Sequence, residues 1–288
     1  MKKRVKMKQL HIISVLIIIL AVIATSFGLF YFDAGEPYFF INQYGDSVKM
    51  FGNGLYKYDS YFMATIFKGT DCAILLFGIP LLIISLLLDY KRNNTRTKLF
   101  LTAIISIFAY YSTSIAFGVT YNILHLIYIG LFGLSFFGVI IGISQIQLND
   151  SINIPRKGIK IFLIISGMFL FIAWLPDIIV SLANGRSLEL IEVYTTQITY
   201  VLDMGLIAPI CFICLYLLNR KSSFGYILLG IILTIGIFVG LMVPIQTVFQ
   251  VHYGIELPIE ALITKVGIFT VLAIIALYFE IKLFKAVR

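Results

Sequence analysis

Eight apolar runs, each close to the length that crosses a bilayer, constrain this chain more than any other feature. They fall at about 10–31, 72–89, 99–117, 122–144, 160–182, 199–218, 224–245 and 261–281, and a helix needs about 20 such residues to cross about 30 Å of hydrocarbon. Inside lipid only helices and closed barrels satisfy their own backbone, and continuous rather than alternating apolar runs specify helices. The expected fold is therefore an all-α integral membrane protein with eight transmembrane helices. Composition agrees: 60% of the 288 residues are hydrophobic and 12% charged, about half the charged fraction of a soluble domain. A soluble globular enzyme is excluded, and residues 1–288 read as a single helical bundle.

The separators between the runs alternate in charge. Lys2, Lys3, Arg4, Lys6 and Lys8 precede the first run; Lys91, Arg92, Arg96 and Lys98 follow the second; Arg156, Lys157 and Lys160 open the fifth; Arg220 and Lys221 divide the sixth from the seventh; Lys282, Lys285 and Arg288 end the chain. By the positive-inside rule these segments and both termini are cytoplasmic, and most carboxylates lie outside. The net charge of +8 therefore reads as orientation and contact with anionic lipid in the bilayer, not as a nucleic-acid surface. A basic start and Ala24-Thr25-Ser26 also fit a cleaved signal peptide, but the apolar run continues through Phe27 to Phe32, which favours an uncleaved anchor. The glycosylation patterns at Asn93-Asn94-Thr95 and Asn149-Asp150-Ser151 fall in expected cytoplasmic loops and should carry no glycan.

The two halves, 1–147 and 156–288, share one layout of four spans. Asp71 opens the second run with Pro80 inside it, and Asp203 opens the sixth with Pro209 inside it. Parallel repeats of this kind carry sites at the repeat interface, although any eight-span chain with both ends on one side divides this way. The outer segment 32–70 holds Tyr44-Gly45-Asp46 between two short apolar stretches, which predicts a hairpin, and Gly52-Asn53-Gly54, which predicts a second turn. A short helix capped by Asp59 or Ser60 is expected through Phe67. Too small for a domain, the segment is expected to lie as a lid over the outer mouth.

Four strings resemble segments of a known family: Phe51-Gly52-Asn53-Gly54-Leu55-Tyr56-Lys57-Tyr58-Asp59-Ser60, Lys68-Gly69-Thr70-Asp71, Gly78-Ile79-Pro80-Leu81 and Tyr200-Val201-Leu202-Asp203-Met204-Gly205-Leu206-Ile207-Ala208-Pro209. The family is a widespread group of bacterial multi-spanning membrane proteins with no established activity. The resemblance implies a bacterial membrane protein of this topology and assigns no residue a role.

Ionisable side chains inside spans are costly and are functional candidates by default. Asp71, His125, Asp177, Asp203 and Lys265 occupy one layer near the outer boundary, with Tyr121, Trp174, Tyr200, Gln197, Gln246 and Gln250 at a similar level. They could face one hydrated pocket that binds a ligand; the plainer alternative is that helix ends reach headgroup depth, where polar and aromatic residues are favourable anyway. His125 with Asp71, Asp177 or Asp203 could hold a metal ion, yet no two stand at helical spacing, so only the fold could assemble such a site. Cys211-Phe212-Ile213-Cys214 resembles a redox dithiol, but its mid-bilayer depth and the lack of a second pair favour core packing. Gly138 and Gly142, and Gly236 and Gly240, permit close helix approach. Tyr110 and Tyr111, followed by Ser112-Thr113-Ser114, form the one deep polar patch.

No P-loop, dinucleotide fingerprint, zinc-protease or nucleophile-elbow motif occurs, and no cofactor is specified. Three functions stay open: binding or transport of a small molecule, lipid headgroup or ion through the outer pocket; a membrane-embedded enzyme acting on a lipid or lipid-linked substrate with Asp71, His125, Asp177 and Asp203; or an accessory or sensor subunit whose protein partners the sequence does not identify.

Overall fold

The computed structural model describes residues 2–148, 152 and 154–287; the side chains of residues 2–8, 261 and 265 lie outside the described set, as does the Asn149-Asp150-Ser151 pattern. Among the described residues eight helices are long and apolar enough to span a membrane: α1 (Lys2–Phe30), α2 (Tyr61–Arg92), α3 (Thr95–Gly118), α4 (His125–Gln145), α5 (Arg156–Asn184), α6 (Ile198–Asn219), α7 (Ser223–His252) and α8 (Leu262–Ala286). The chain is a multi-pass membrane protein. Between α1 and α2 lies an antiparallel hairpin, β1 (Tyr38–Ile41) paired with β2 (Ser47–Met50) from Tyr38↔Met50 to Ile41↔Ser47. Its turn is fixed by Asn42, whose Oδ1 accepts the backbone N–H groups of Tyr44 and Asp46, both at 2.9 Å.

Seven spans start within about one helical turn of the apolar runs. The exception is α2, where the expected short helix and the second run are continuous. Ser60 caps this helix by accepting the Met63 N–H at 3.1 Å, and no break follows because Lys68 and Asp71, which look like boundary charges, are buried and bonded. Asp71 therefore lies well inside α2 instead of opening it.

Three helices contain a wide π turn: α2 at Ile74–Gly78, α6 at Asp203–Ile207 and α8 at Leu262–Gly267. In α2 and α6 the cause is local. Pro80 and Pro209 offer no N–H to the turn before them, and the preceding residue reaches back five positions instead, Ile79 N–H to the Ile74 carbonyl and Ala208 N–H to that of Asp203. The π turn stands at the same distance before proline in both helices, whereas Asp71 and Asp203 do not share that register.

Each half closes the same ring of neighbours: α1 with α2, α2 with α3, α3 with α4 and α4 with α1, matched by α5 with α6, α6 with α7, α7 with α8 and α8 with α5. The halves meet where α3 crosses α7, and α2 against α7 is mirrored by α6 against α3. These central helices are the most enclosed, with 67% of the apolar window of α3 and 72% of that of α7 buried. Small residues permit the crossings: a Cβ on Gly142 would stand 2.3 Å from Thr102 of α3, and one on Gly240 would stand 2.3 Å from Ala273 of α8. Gly138 packs on Ile105 and Ile13, while Gly236 meets nothing within 4 Å.

Candidate functional site

A cavity of about 230 Å³ opens between the two halves, lined from α2, α3, α5, α6, α7 and α8. Most of its wall is apolar, and several of its polar groups are hydrogen-bonded. Asp203, at the first residue of the α6 π turn, accepts the Trp174 indole N–H at 2.9 Å on Oδ2 and the Tyr110 hydroxyl at 3.0 Å on Oδ1. Trp174 stacks on Tyr200 with ring centroids 4.7 Å apart, and the Tyr200 hydroxyl donates to Asp177 at 2.7 Å. On the opposite wall Gln246 donates to the Thr70 hydroxyl at 2.7 Å. Below this ring a smaller cavity of about 60 Å³ shares Tyr110, Asp203, Val239 and Phe269 with the larger one, and holds the unpartnered Ser166 Oγ and Cys211. Asp203 and Tyr110 thus stand between two spaces.

Asp71 belongs to a neighbouring but separate cluster. Fully buried, its carboxylate accepts the Tyr111 hydroxyl at 2.7 Å and the Tyr56 hydroxyl at 2.5 Å. The backbone of α1 comes so close that a Cβ on Gly28 would lie 1.8 Å from Asp71 Oδ2. Lys68, one turn earlier on α2, donates to the Gly28 carbonyl at 2.9 Å and so caps the C-terminal end of α1, where the helix dipole favours a cation. Neither Asp71 nor Asp203 is in an ion pair among the described residues.

Asp177, His125 and Tyr121 do not line the cavity. Asp177 touches it only through Tyr200 and is otherwise exposed. His125, at the start of α4, and Tyr121, in the α3–α4 connection, pair with each other at 5.3 Å between ring centroids, with Tyr121 79% exposed. Lys265 is on the α8 π turn, and its side chain lies outside the described residues. Among the described residues no three His, Cys, Asp or Glu side chains gather as a metal site. Cys211 and Cys214 are buried free thiols.

Over the cavity the hairpin segment is tied down at Asp59, which sequence reasoning passed over as a helix cap. Its Oδ1 accepts the Thr120 N–H at 2.9 Å and the Tyr194 hydroxyl at 3.0 Å, joining the α1–α2, α3–α4 and α5–α6 connections. Burial pushes this carboxyl up to about 7, against the opposing effect of those two donors. Glu192, bonded to the Ser60 hydroxyl, is raised for the same reason. Beside this knot a vestibule of about 310 Å³ is lined by Asp46, Glu189, Glu192 and Lys49, and shares Phe62 with the cavity below.

Lys68, Tyr56 and Glu280 were also passed over. Glu280 of α8 accepts the Thr234 hydroxyl of α7 at 2.5 Å. The available signal for Lys68 was its place three residues before Asp71 on an otherwise apolar helix. No family model, curated protein or solved structure matches the chain, so its chemistry is read from this geometry alone.

Proposed function

We propose that this protein binds a small, largely apolar molecule in the cavity between its two four-helix halves and carries it across the bilayer. One observation carries the reading: a 230 Å³ space at the junction of the halves, walled by six spans, with a bonded Asp203–Trp174–Tyr110 cluster at its inner end. Sites at such junctions suit alternating access because rocking one half against the other exposes the ligand to each face in turn. The π turns at Asp203 and Leu262–Gly267 bring irregular backbone to that wall.

Membership of the bacterial family resembled in sequence, location in the cytoplasmic membrane and cytoplasmic termini belong to the same proposal. The clustering of Lys and Arg between alternate spans supports the orientation. A fluorescent-protein fusion at the C-terminus that stays dark in a bacterial host would reverse it.

The enzyme reading requires Asp71, His125, Asp177 and Asp203 within hydrogen-bond or one-water reach of a shared substrate. Of these only Asp203 lines the cavity, so binding is better supported than catalysis. The test is uptake by proteoliposomes containing the purified protein, with Trp174, the one tryptophan of the chain, as the reporter of binding. Saturable Trp174 quenching accompanied by flux supports transport. Quenching without flux reduces the function to binding.

A further inference from the structure

The carboxyl of Asp71 is fully buried within α2, accepts the Tyr56 and Tyr111 hydroxyls, and lines none of the three cavities described above. The α1 backbone at Gly28 closes one side so tightly that a single methyl group there would overlap Oδ2. A metal ion or an organic ligand needs volume that such packing does not leave. A proton needs none.

Among the described residues the titratable side chains that act on Asp71 are Lys68 and Cys72 of α2, Tyr56 of the α1–α2 connection, Tyr111 of α3 and Tyr128 of α4; α1 presents the Gly28 backbone. Lys68 is the one cation of this set. Its ammonium is bonded to the Gly28 carbonyl at 2.9 Å and stands over the Phe32 and Phe51 rings, outside ion-pair distance of Asp71. Two phenol donors and a nearby ammonium favour the carboxylate, whereas complete burial favours the neutral acid. With no ion pair to break, one proton can come or go while the hydroxyls reorient.

A line of hydroxyls leads from Asp71 to the face that carries the hairpin. Tyr56 donates to Asp71 Oδ2 at 2.5 Å, the buried Tyr128 hydroxyl lies beside that of Tyr56, and the amide of half-buried Asn122, in the α3–α4 connection, donates to Tyr128 at 3.4 Å. Asp59 of the knot also acts on Tyr128, and its Oδ2 is without a partner among the described residues. We propose that Asp71 is a proton-binding site, filled and emptied from the hairpin face through Tyr128 and Tyr56. A proton delivered from water at the Asn122 connection to the Tyr128 oxygen lets Tyr128 pass its own to Tyr56, and Tyr56 its own to Asp71 Oδ2. Each phenol gains one proton and loses one, so only the carboxylate changes charge, to the neutral acid. Release runs the same steps in reverse. The site stands apart from the cavity and does not depend on what the cavity binds.

Infrared difference spectra of the full chain in nanodiscs read carboxyl protonation directly when the sample is stepped from about pH 9 to about pH 4, the span that shifted carboxyls cover. The expected result is a rise in the carboxylic-acid C=O band, one component of which is lost in Asp71→Asn. Where that variant does not fold, Tyr111→Phe, which removes one donor from Asp71, identifies the component by a shift in its frequency. A pH-dependent band with no such component overturns the proton site. In Tyr128→Phe the component should reach the same final size but rise about tenfold or more slowly after a rapid pH jump, because a phenyl ring carries no exchangeable proton. A purely structural role for the Tyr128 hydroxyl would leave that rate as it is, so an unchanged rate overturns the path through Tyr128.

Discussion

Tyr110 and Tyr111 are neighbours on α3 that serve carboxylates on two different helices, Tyr110 donating to Asp203 of α6 at 3.0 Å and Tyr111 to Asp71 of α2 at 2.7 Å. Successive residues on a helix point about 100° apart, so one turn of the central helix reaches into both halves of the bundle. The two clusters differ in company: Asp203 faces the cavity, and Asp71 is sealed against Gly28, Tyr56 and Tyr111.

Removing each hydroxyl should therefore have separable effects. Tyr110→Phe and Tyr111→Phe each leave a buried carboxylate short of one donor and should each lower stability by about 1–3 kcal/mol. Only Tyr110→Phe should also shift Trp174 emission, because Trp174 shares Asp203 with Tyr110. Thermal unfolding and emission spectra of the two variants check this; an equal emission shift in both would show that the clusters act as one.

The closeness of α1 to Asp71 makes Gly28 a sharp test of packing. Gly28→Ala places a methyl group 1.8 Å from Asp71 Oδ2 and 2.9 Å from the Tyr56 hydroxyl oxygen, so α1 must move, at a cost of about 1–3 kcal/mol or more. It also displaces the carbonyl that Lys68 caps. Combined with Asp71→Ala, which deletes the clashing oxygen, the loss should be smaller than the sum of the single losses. Thermal midpoints of the three variants measure that difference, and strict additivity would refute the contact.

The eight spans, the hairpin turn and the Gly52-Asn53-Gly54 turn were legible because each depends on local chemistry: apolar run length, and residues that accept positive φ, as Gly45, Gly52 and Gly54 do. The start of α2 was not legible, since Lys68 and Asp71 mark a span end unless something buried satisfies them. Their partners, the Gly28 carbonyl and the Tyr56 and Tyr111 hydroxyls, come from elsewhere in the chain. Depth in the bilayer can be counted along a helix, and it placed Asp203, Trp174, His125 and Tyr121 in one layer. Which way each residue faces around its helix is set by packing. Asp203 and Trp174 line the cavity, while His125 does not, and Tyr121 lies in the connection before α4.

Filling the cavity should remove binding while preserving the fold. Val239 of α7 lines both cavities, so the ring of Val239→Phe has empty volume to enter in place of packed neighbours. Overpacking a filled core costs about 1–3 kcal/mol, and here the cost should fall below that range. The expected outcome is an unfolding midpoint close to that of the unaltered chain, with ligand-induced Trp174 quenching weakened about tenfold or more, a free-energy change of about 1.4 kcal/mol. Unchanged quenching would place the ligand elsewhere.

The knot at Asp59 should make the hairpin segment tighter in mild acid. In the folded chain this carboxyl is raised from 3.8 to about 7, chiefly by burial, so between those values the folded state holds a proton that the opened segment releases. Stability from this group is therefore fully present below about pH 4 and lost as pH rises through 7, with opening favoured by up to about tenfold per pH unit between them. Glu192, raised by burial beside Ser60, acts in the same direction, while the Tyr194 hydroxyl is held protonated and remains a donor to Asp59. Hydrogen exchange of residues 51–60, corrected for the intrinsic effect of pH, should be slower at pH 5.5 than at pH 8. Asp59→Asn keeps an acceptor for Thr120 and Tyr194 but cannot titrate, and should leave only the weaker dependence due to Glu192. An undiminished pH dependence in that variant would remove Asp59 as its source.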